Sequence, residues 1–372
     1  MALLSGLFNI LVGYSWLAGA LGTDNTDPHC KFLPAETRDI QDTTYFHMVK
    51  AARLPSGTTY RYVVHRPSIE KPWLLFLHGF PSTSFDWRYQ FEHFASLGYG
   101  IIAPDLLGYG GTDNPPELDR FALKTMVSEI KQLLDCEGVD TAVGIAHDFG
   151  SVVLSRVITY LPERLTAVAF LTVGYSAPPL AFNEAGIDLI NKATEEAVGY
   201  TTFGYWGFMS EDNAASIMDA NLDSAFTLLY TDNSDYFQKY FAPIGEYKKW
   251  LLAGRIAPWT KYLEEESKSI FKRIYNFHGG FDGPLKTYKS MIRDVNLAHE
   301  NAIPESAAYI KQPVVLITAA RDRIALPEAQ VNNTKPFAAD INITSVDAGH
   351  FLQVEKPQEV NKKLEAFIKS LA

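Results

Sequence analysis

A carboxylate stands at the sharpest turn that this sequence predicts. Ala146-His147-Asp148-Phe149-Gly150-Ser151 follows an apolar run, Thr141 to Ile145, and opens a helical run, Val152 to Leu161. Small residues lie two before, two after and three after Asp148. A strand-to-helix turn this tight leaves no room for larger side chains at those three places. Asp at the centre defines the chemistry. A carboxylate needs no base to activate it, and it attacks saturated carbon as well as carbonyl carbon. The competing reading is that Asp148 only caps the helix that follows. Two later residues are candidates to accompany it. Asp322 follows a strand in Arg321-Asp322-Arg323, and His350 follows the last strand in Asp347-Ala348-Gly349-His350-Phe351. Each has a plain alternative, Asp322 as a turn residue and His350 as a packed histidine.

The elements around these residues alternate. Two β-rich runs, Tyr45–Arg53 and Thr58–His65, flank Pro55-Ser56-Gly57 as a hairpin. Trp73–Leu77 is a continuous apolar run, which reads as a strand buried on both faces. Helix Asp86–Leu97, strand Gly100–Pro104, the glycine-rich loop 105–111, helix Phe121–Cys136, the turn at Asp148 and strand Ala167–Val173 follow. From Ser176 to about Pro304 the strand pattern stops, and the segment is aromatic and helical in rhythm, as in Glu211–Leu229. Strand 313–318, helix 327–337, strand 341–346 and helix 357–371 complete the chain. This order predicts an α/β fold with a mostly parallel central sheet and a helical cap inserted after the sixth strand. The core is expected over 43–175 and 305–372, and the cap over 176–304. A cap there lies over the carboxyl ends of the strands, where open α/β sheets hold ligands.

Composition narrows the class. Hydrophobic residues make up 47% of the 372 positions, and the net charge is −10. With no Lys/Arg cluster, no nucleic-acid partner is expected. Residues 2–22 carry no charged side chain, and Ala18-Gly19-Ala20 resembles a cleavage site. Residues 1–22 are therefore expected to be a signal peptide or signal-anchor, cleaved near Ala20, with a buried helix as the alternative. A secretory location follows, with a cytoplasmic one as the alternative, and membrane association is expected only through 1–22. Residues 23–42 read as an arm. The sequons Asn332-Asn333-Thr334 and Asn342-Ile343-Thr344 are compatible with secretion. Cys30 and Cys136 could pair there, but the preferred reading of Cys136 is a small apolar residue packed on a helix.

Several motifs now fall in one order. His78-Gly79-Phe80-Pro81 ends the third strand, Asp148 occupies the elbow, Asp322 follows a later strand and His350 closes the set. Over about 43–372 the chain resembles the α/β-hydrolase fold, and within it the epoxide hydrolases of the fungal soluble type. The segment HGFPSTSFDWRYQ, His78–Gln90, carries that likeness most closely. The resemblance implies Asp148 as nucleophile, Asp322 as partner of His350, and the backbone N–H groups of Phe80 and Phe149 as the oxyanion hole. Pro81 is implied to be cis, and Asp105 to be structural. Gly283–Met291 resembles the segment that carries one of two acid tyrosines, which implies Tyr288. Tyr205 in Phe203–Phe208 matches the other, with Tyr200 as runner-up. His78, Pro81, Trp206 and Phe351 are expected around the substrate pocket. No metal or cofactor is implied, and the expected ligand is a small apolar epoxide.

Other readings use the same residues. A haloalkane or haloacid dehalogenase would also employ Asp148. However, Phe80 and Phe149 stand where that chemistry usually places Asn and Trp donors. An epoxide-opening cyclase and a non-catalytic binder of the same fold are the remaining alternatives.

Overall fold

The computed structural model describes residues 29–371 apart from 181 and 232. The expected signal segment and its cleavage site at Ala20 lie outside those residues. Nine strands form one sheet: β1 Lys31–Leu33, β2 Val49–Arg53, β3 Thr59–His65, β4 Trp73–Leu77, β5 Gly100–Pro104, β6 Ala142–His147, β7 Leu165–Leu171, β8 Val314–Ala319 and β9 Ile341–Val346. Their order is β1-β2-β3-β5-β4-β6-β7-β8-β9. The first three strands pair antiparallel, and β3 joins β5 in the same sense. From β5 through β9 the neighbours are parallel. β5, β6 and β8 are buried along their whole length. That is why they read as unbroken apolar runs, with helices covering both faces.

One expectation needs correction. The arm is not free of structure, because Lys31–Leu33 pairs with Ala51–Arg53. The helical insertion therefore follows the seventh strand of the sheet. Three residues are too few to show an alternating pattern. What recruits them is tertiary. Cys30 is joined to Cys136 by a disulfide, with Cα atoms 5.7 Å apart. Lys50 of β2 pairs with Glu137, placing the end of helix Leu123–Cys136 beside this edge. Cys136 is thus a cross-link and not merely a packed apolar residue.

The helices α1 Arg88–Ser96, α2 Leu123–Cys136 and α3 Phe149–Tyr160 fall where the pattern predicts. The expected helix Glu211–Leu229 breaks at Asn221 into Ala214–Ala220 and Leu222–Leu229. Between β7 and β8 the described residues form helices from Glu184–Val198 to Leu297–Asn301 and no strand. A buried ion pair closes both ends of this insertion onto α3. Arg156 Nε and Nη2 donate to Glu300 at 2.6 and 2.7 Å, and Nη1 donates to the Ser176 carbonyl at 2.7 Å. Glu300 also accepts from Leu180 N–H at 2.8 Å. Breaking such a buried pair costs about 3–5 kcal/mol, so the insertion is firmly seated over the strand ends. Among the described residues, no helix is long and apolar enough to cross a membrane.

Candidate active site

The turn after β6 places Asp148 in a conformation that L-residues avoid. Its φ is 52° and its ψ is −127°. Strain of about 1–3 kcal/mol is expected for such a residue. A Cβ on Gly150 would run into the Leu77 and His78 carbonyls, so the turn accepts only glycine there. Asp148 is the residue before α3, yet its side chain makes no capping bond. The capping alternative is therefore excluded. The carboxylate turns instead toward the loop after β4, where Oδ1 accepts the Phe80 N–H at 2.8 Å. Gly79 makes that approach possible, since a Cβ there would collide with Asp148 Oδ1 and with Phe149 N.

His350 arrives from the loop after β9. Its Nε2 lies 3.4 Å from Asp148 Oδ2. Its Nδ1 donates to Asp322 Oδ2 at 2.7 Å. Asp322 is fixed in turn, because Oδ1 accepts the N–H groups of Ile324 at 2.8 Å and Ala325 at 3.1 Å. Three strand ends, those of β6, β8 and β9, thus bring together residues 148, 322 and 350. Burial opposes charge on both members of the first pair, but the partners outweigh it. His350, followed by His147 and the Phe80 N–H, holds Asp148 down at about 2. Asp322 and Asp148 hold His350 up at about 10 despite its burial. Asp148 is ionised and His350 protonated at neutral pH.

A cavity of about 410 Å³ opens above this pair, and Tyr205 and Tyr288 both line it beside Asp148, Phe149 and His350. The two tyrosine rings stand 6.2 Å apart, edge to face. Tyr205 stacks on Phe241 at 4.3 Å, and Tyr288 packs edge-on against Phe80 at 5.3 Å and Trp206 at 4.8 Å. Burial first, and the Asp148 charge after it, push the Tyr205 phenol above its ordinary range. Burial, then Tyr205 and Asp148, do the same at Tyr288. Both hydroxyls are therefore neutral. Tyr200 is elsewhere, donating to the Arg323 carbonyl at 2.8 Å.

Trp206 lines the cavity, whereas His78, Pro81 and Phe351 do not. His78 is buried between the Gly79 carbonyl and the Leu106 N–H, both at 2.9 Å, and braces two loops against each other. Pro81 is cis, and its carbonyl accepts from the Tyr275 hydroxyl at 2.7 Å. Phe351 stacks on Tyr230 at 4.5 Å, behind the site. Each lies next to the site in sequence but is turned away from the cavity to satisfy its own neighbours. Asp105 is structural, accepting from Arg61 Nε at 2.7 Å and Ser84 N–H at 2.9 Å. The rest of the wall, including Phe182, Ile190 and Phe203 of the insertion and Leu326 and Phe337 of the core, was not legible in the sequence. These residues are ordinary apolar positions until the insertion folds over the sheet. Asn332 of the first sequon is exposed at the cavity edge, and Asn342 of the second is exposed on β9. Among the described residues no cluster of three or more His, Cys, Asp or Glu could hold a metal ion.

Known proteins share this architecture. The model of the α/β hydrolase fold family matches residues 72–192. The mouse bifunctional epoxide hydrolase 2 is 27% identical over 329 residues, covering 83% of this chain and 55% of that protein. The chain spans between 55 and 59% of the length of the mammalian bifunctional relatives it matches. Epoxide hydrolase 3 of Siraitia grosvenorii is 28% identical over 307 residues, covering 80% of this chain and 92% of that one. Among solved structures, an epoxide hydrolase from an endophytic Streptomyces superposes with a TM-score of 0.71 at 24% identity, covering 87% of this chain and 95% of its own.

Proposed function

We propose that this chain, a member of the epoxide hydrolase-like α/β-hydrolases, opens epoxides to vicinal diols through a covalent ester on Asp148. One observation carries the reading: Asp148 and two buried tyrosines, Tyr205 and Tyr288, line the same cavity, where the partners of Asp148 favour the carboxylate and burial favours the neutral phenols. An epoxide oxygen stays attached to its carbon as the ring opens, so it must be protonated by short-reach acids. Asp148 attacks one ring carbon, the carbon–oxygen bond breaks, and Tyr205 or Tyr288 supplies the proton to the oxygen. The ester that forms is uncharged. His350 thereby loses the negative neighbour that helped to hold its proton, and its proton is free to restore the tyrosine. Neutral His350, oriented by Asp322, then takes a proton from water, and the hydroxide attacks the Asp148 ester carbonyl. The N–H groups of Phe80 and Phe149 carry the oxyanion. Collapse releases the diol, returns Asp148 as a carboxylate and leaves the proton on His350.

Carbon–halogen cleavage is less well supported, because Phe80 and Phe149 offer no side-chain donor to a halide. The test is the intact mass of His350→Gln after mixing with a panel of epoxides and haloalkanes. A gain equal to the whole epoxide, mapped to Asp148, is expected. A gain equal to an alkyl group without its halogen would move the reading to dehalogenase, and no adduct with any member would leave either a binder or a narrow substrate missing from the panel, with natural-product epoxides as the next panel.

The Cys30–Cys136 disulfide also supports a secretory location. N-terminal sequencing of protein recovered from the medium checks this; retention of the intact chain in the cytosol would count against it.

A further inference from the structure

We infer that His147 and Thr172 are positioning residues for His350, which clamp its backbone carbonyl and so aim its ring at the Asp148 ester during the water step. The inference rests on the proposed two-step reaction. His350 O accepts two hydrogen bonds from neighbouring strand ends. His147 Nε2, at the end of β6, lies 2.8 Å away. Thr172 Oγ1, just beyond β7, lies 2.9 Å away. All three residues are buried. Asp322 holds the far side of the ring from the end of β8. His350 is therefore tied to three consecutive parallel strands, through its ring on one side and its carbonyl on the other.

Two features argue that the clamp is more than incidental satisfaction of a buried carbonyl. Thr172 has a φ of +67°, a region that β-branched residues avoid. Its backbone N–H still bonds to the Ile317 carbonyl at 2.9 Å, so the sheet edge remains paired while the side chain is turned toward His350. The strain is maintained where a hydroxyl is needed. His147 contributes a fixed tautomer. Because the acceptor is a carbonyl, Nε2 must carry the hydrogen, and Nδ1, which has no partner among the described residues, carries none. Burial and the His350 charge hold His147 down at about 4, so its ring stays neutral beside the charged one 5.0 Å away.

Ring opening needs Asp148 and a tyrosine, but water attack needs His350 Nε2 aimed at a small target. A clamp on His350 should therefore act on the second step alone. The experiment is single-turnover mass spectrometry of the full chain with an epoxide. It follows formation and decay of the Asp148 ester in Thr172→Val, Thr172→Ser, His147→Met and His147→Gln. The expected result is ester decay slowed about 10-fold or more in Thr172→Val and His147→Met. Ester formation should change by less than about 2-fold, and Thr172→Ser and His147→Gln, which restore a donor, should recover most of the decay rate. Unchanged decay in both donor-free variants would overturn the inference, as would equal slowing of both steps. If Thr172→Val folds poorly, the His147→Met and His147→Gln pair decides. Failure of the reaction reading is distinguishable, because wild-type protein would then form no Asp148 ester with any epoxide.

Discussion

His350 Nε2 stands 3.4 Å from Asp148 Oδ2, and the two residues perturb each other in opposite directions. Asp148 falls from an ordinary 3.8 to about 2, and His350 rises from 6.5 to about 10. The stability that Asp148 contributes is present above its ordinary value and is lost as pH falls through about 2. The stability that His350 contributes is complete below 6.5 and is lost as pH rises through about 10. Asp148→Asn should remove the acid limb attributable to position 148 and move the alkaline limb to lower pH, because His350 then keeps only Asp322. Melting temperature against pH, for wild type and variant, checks this. An alkaline limb that does not move would mean that Asp148 does not hold the His350 proton.

The two tyrosines should act on ring opening. Tyr288→Phe and Tyr205→Phe are each expected to slow ester formation about 100-fold, while an ester already formed decays at its usual rate. Single-turnover mass spectrometry separates the two rates. If ester formation is unchanged in both single variants and in the double variant, the acid lies elsewhere.

Gly79 tests the surroundings of Asp148. A Cβ at that position meets Asp148 Oδ1 and Phe149 N. Under the proposed reaction, Gly79→Ala should cost at least about 100-fold in ester formation, because it displaces Asp148 Oδ1 by a large fraction of an ångström. Circular dichroism should show the fold retained. Full activity would mean that the loop after β4 is free to move away.

The disulfide tests stability apart from chemistry. Cys30 and Cys136 are 106 positions apart in sequence. Cross-links over such separations contribute about 2–5 kcal/mol. Cys30→Ala should therefore lower the denaturant midpoint, and ester formation at 25 °C should be unchanged. A midpoint equal to that of wild-type protein kept oxidised would show that the bridge contributes nothing.

Much of this protein was determined by local sequence. Small residues at 146, 150 and 151 around Asp148 predict the strained turn, because backbone sterics act over a few residues. Continuous apolar runs predict β4 to β8, because a doubly covered strand must be apolar on both faces. The meeting of Asp148, Asp322 and His350 was legible because each follows a strand whose end faces the same side of the sheet, whereas Tyr205 and Tyr288 were legible only through their motifs. Tertiary structure decided the rest. Only pairing against β2 makes a strand of Lys31–Leu33, and only that placement lets Cys30 reach Cys136. His78 and Phe351 neighbour the site in sequence yet face away, since a side chain's direction follows from the loop geometry that neighbouring elements impose. The positive φ at Thr172 leaves no trace in residue type, and the carbonyl that its hydroxyl meets, on His350, is 178 positions away in the chain. Periodicity and motifs report forces that act along the chain. The cavity and the clamp on His350 arise from contacts between segments that meet only when the sheet closes.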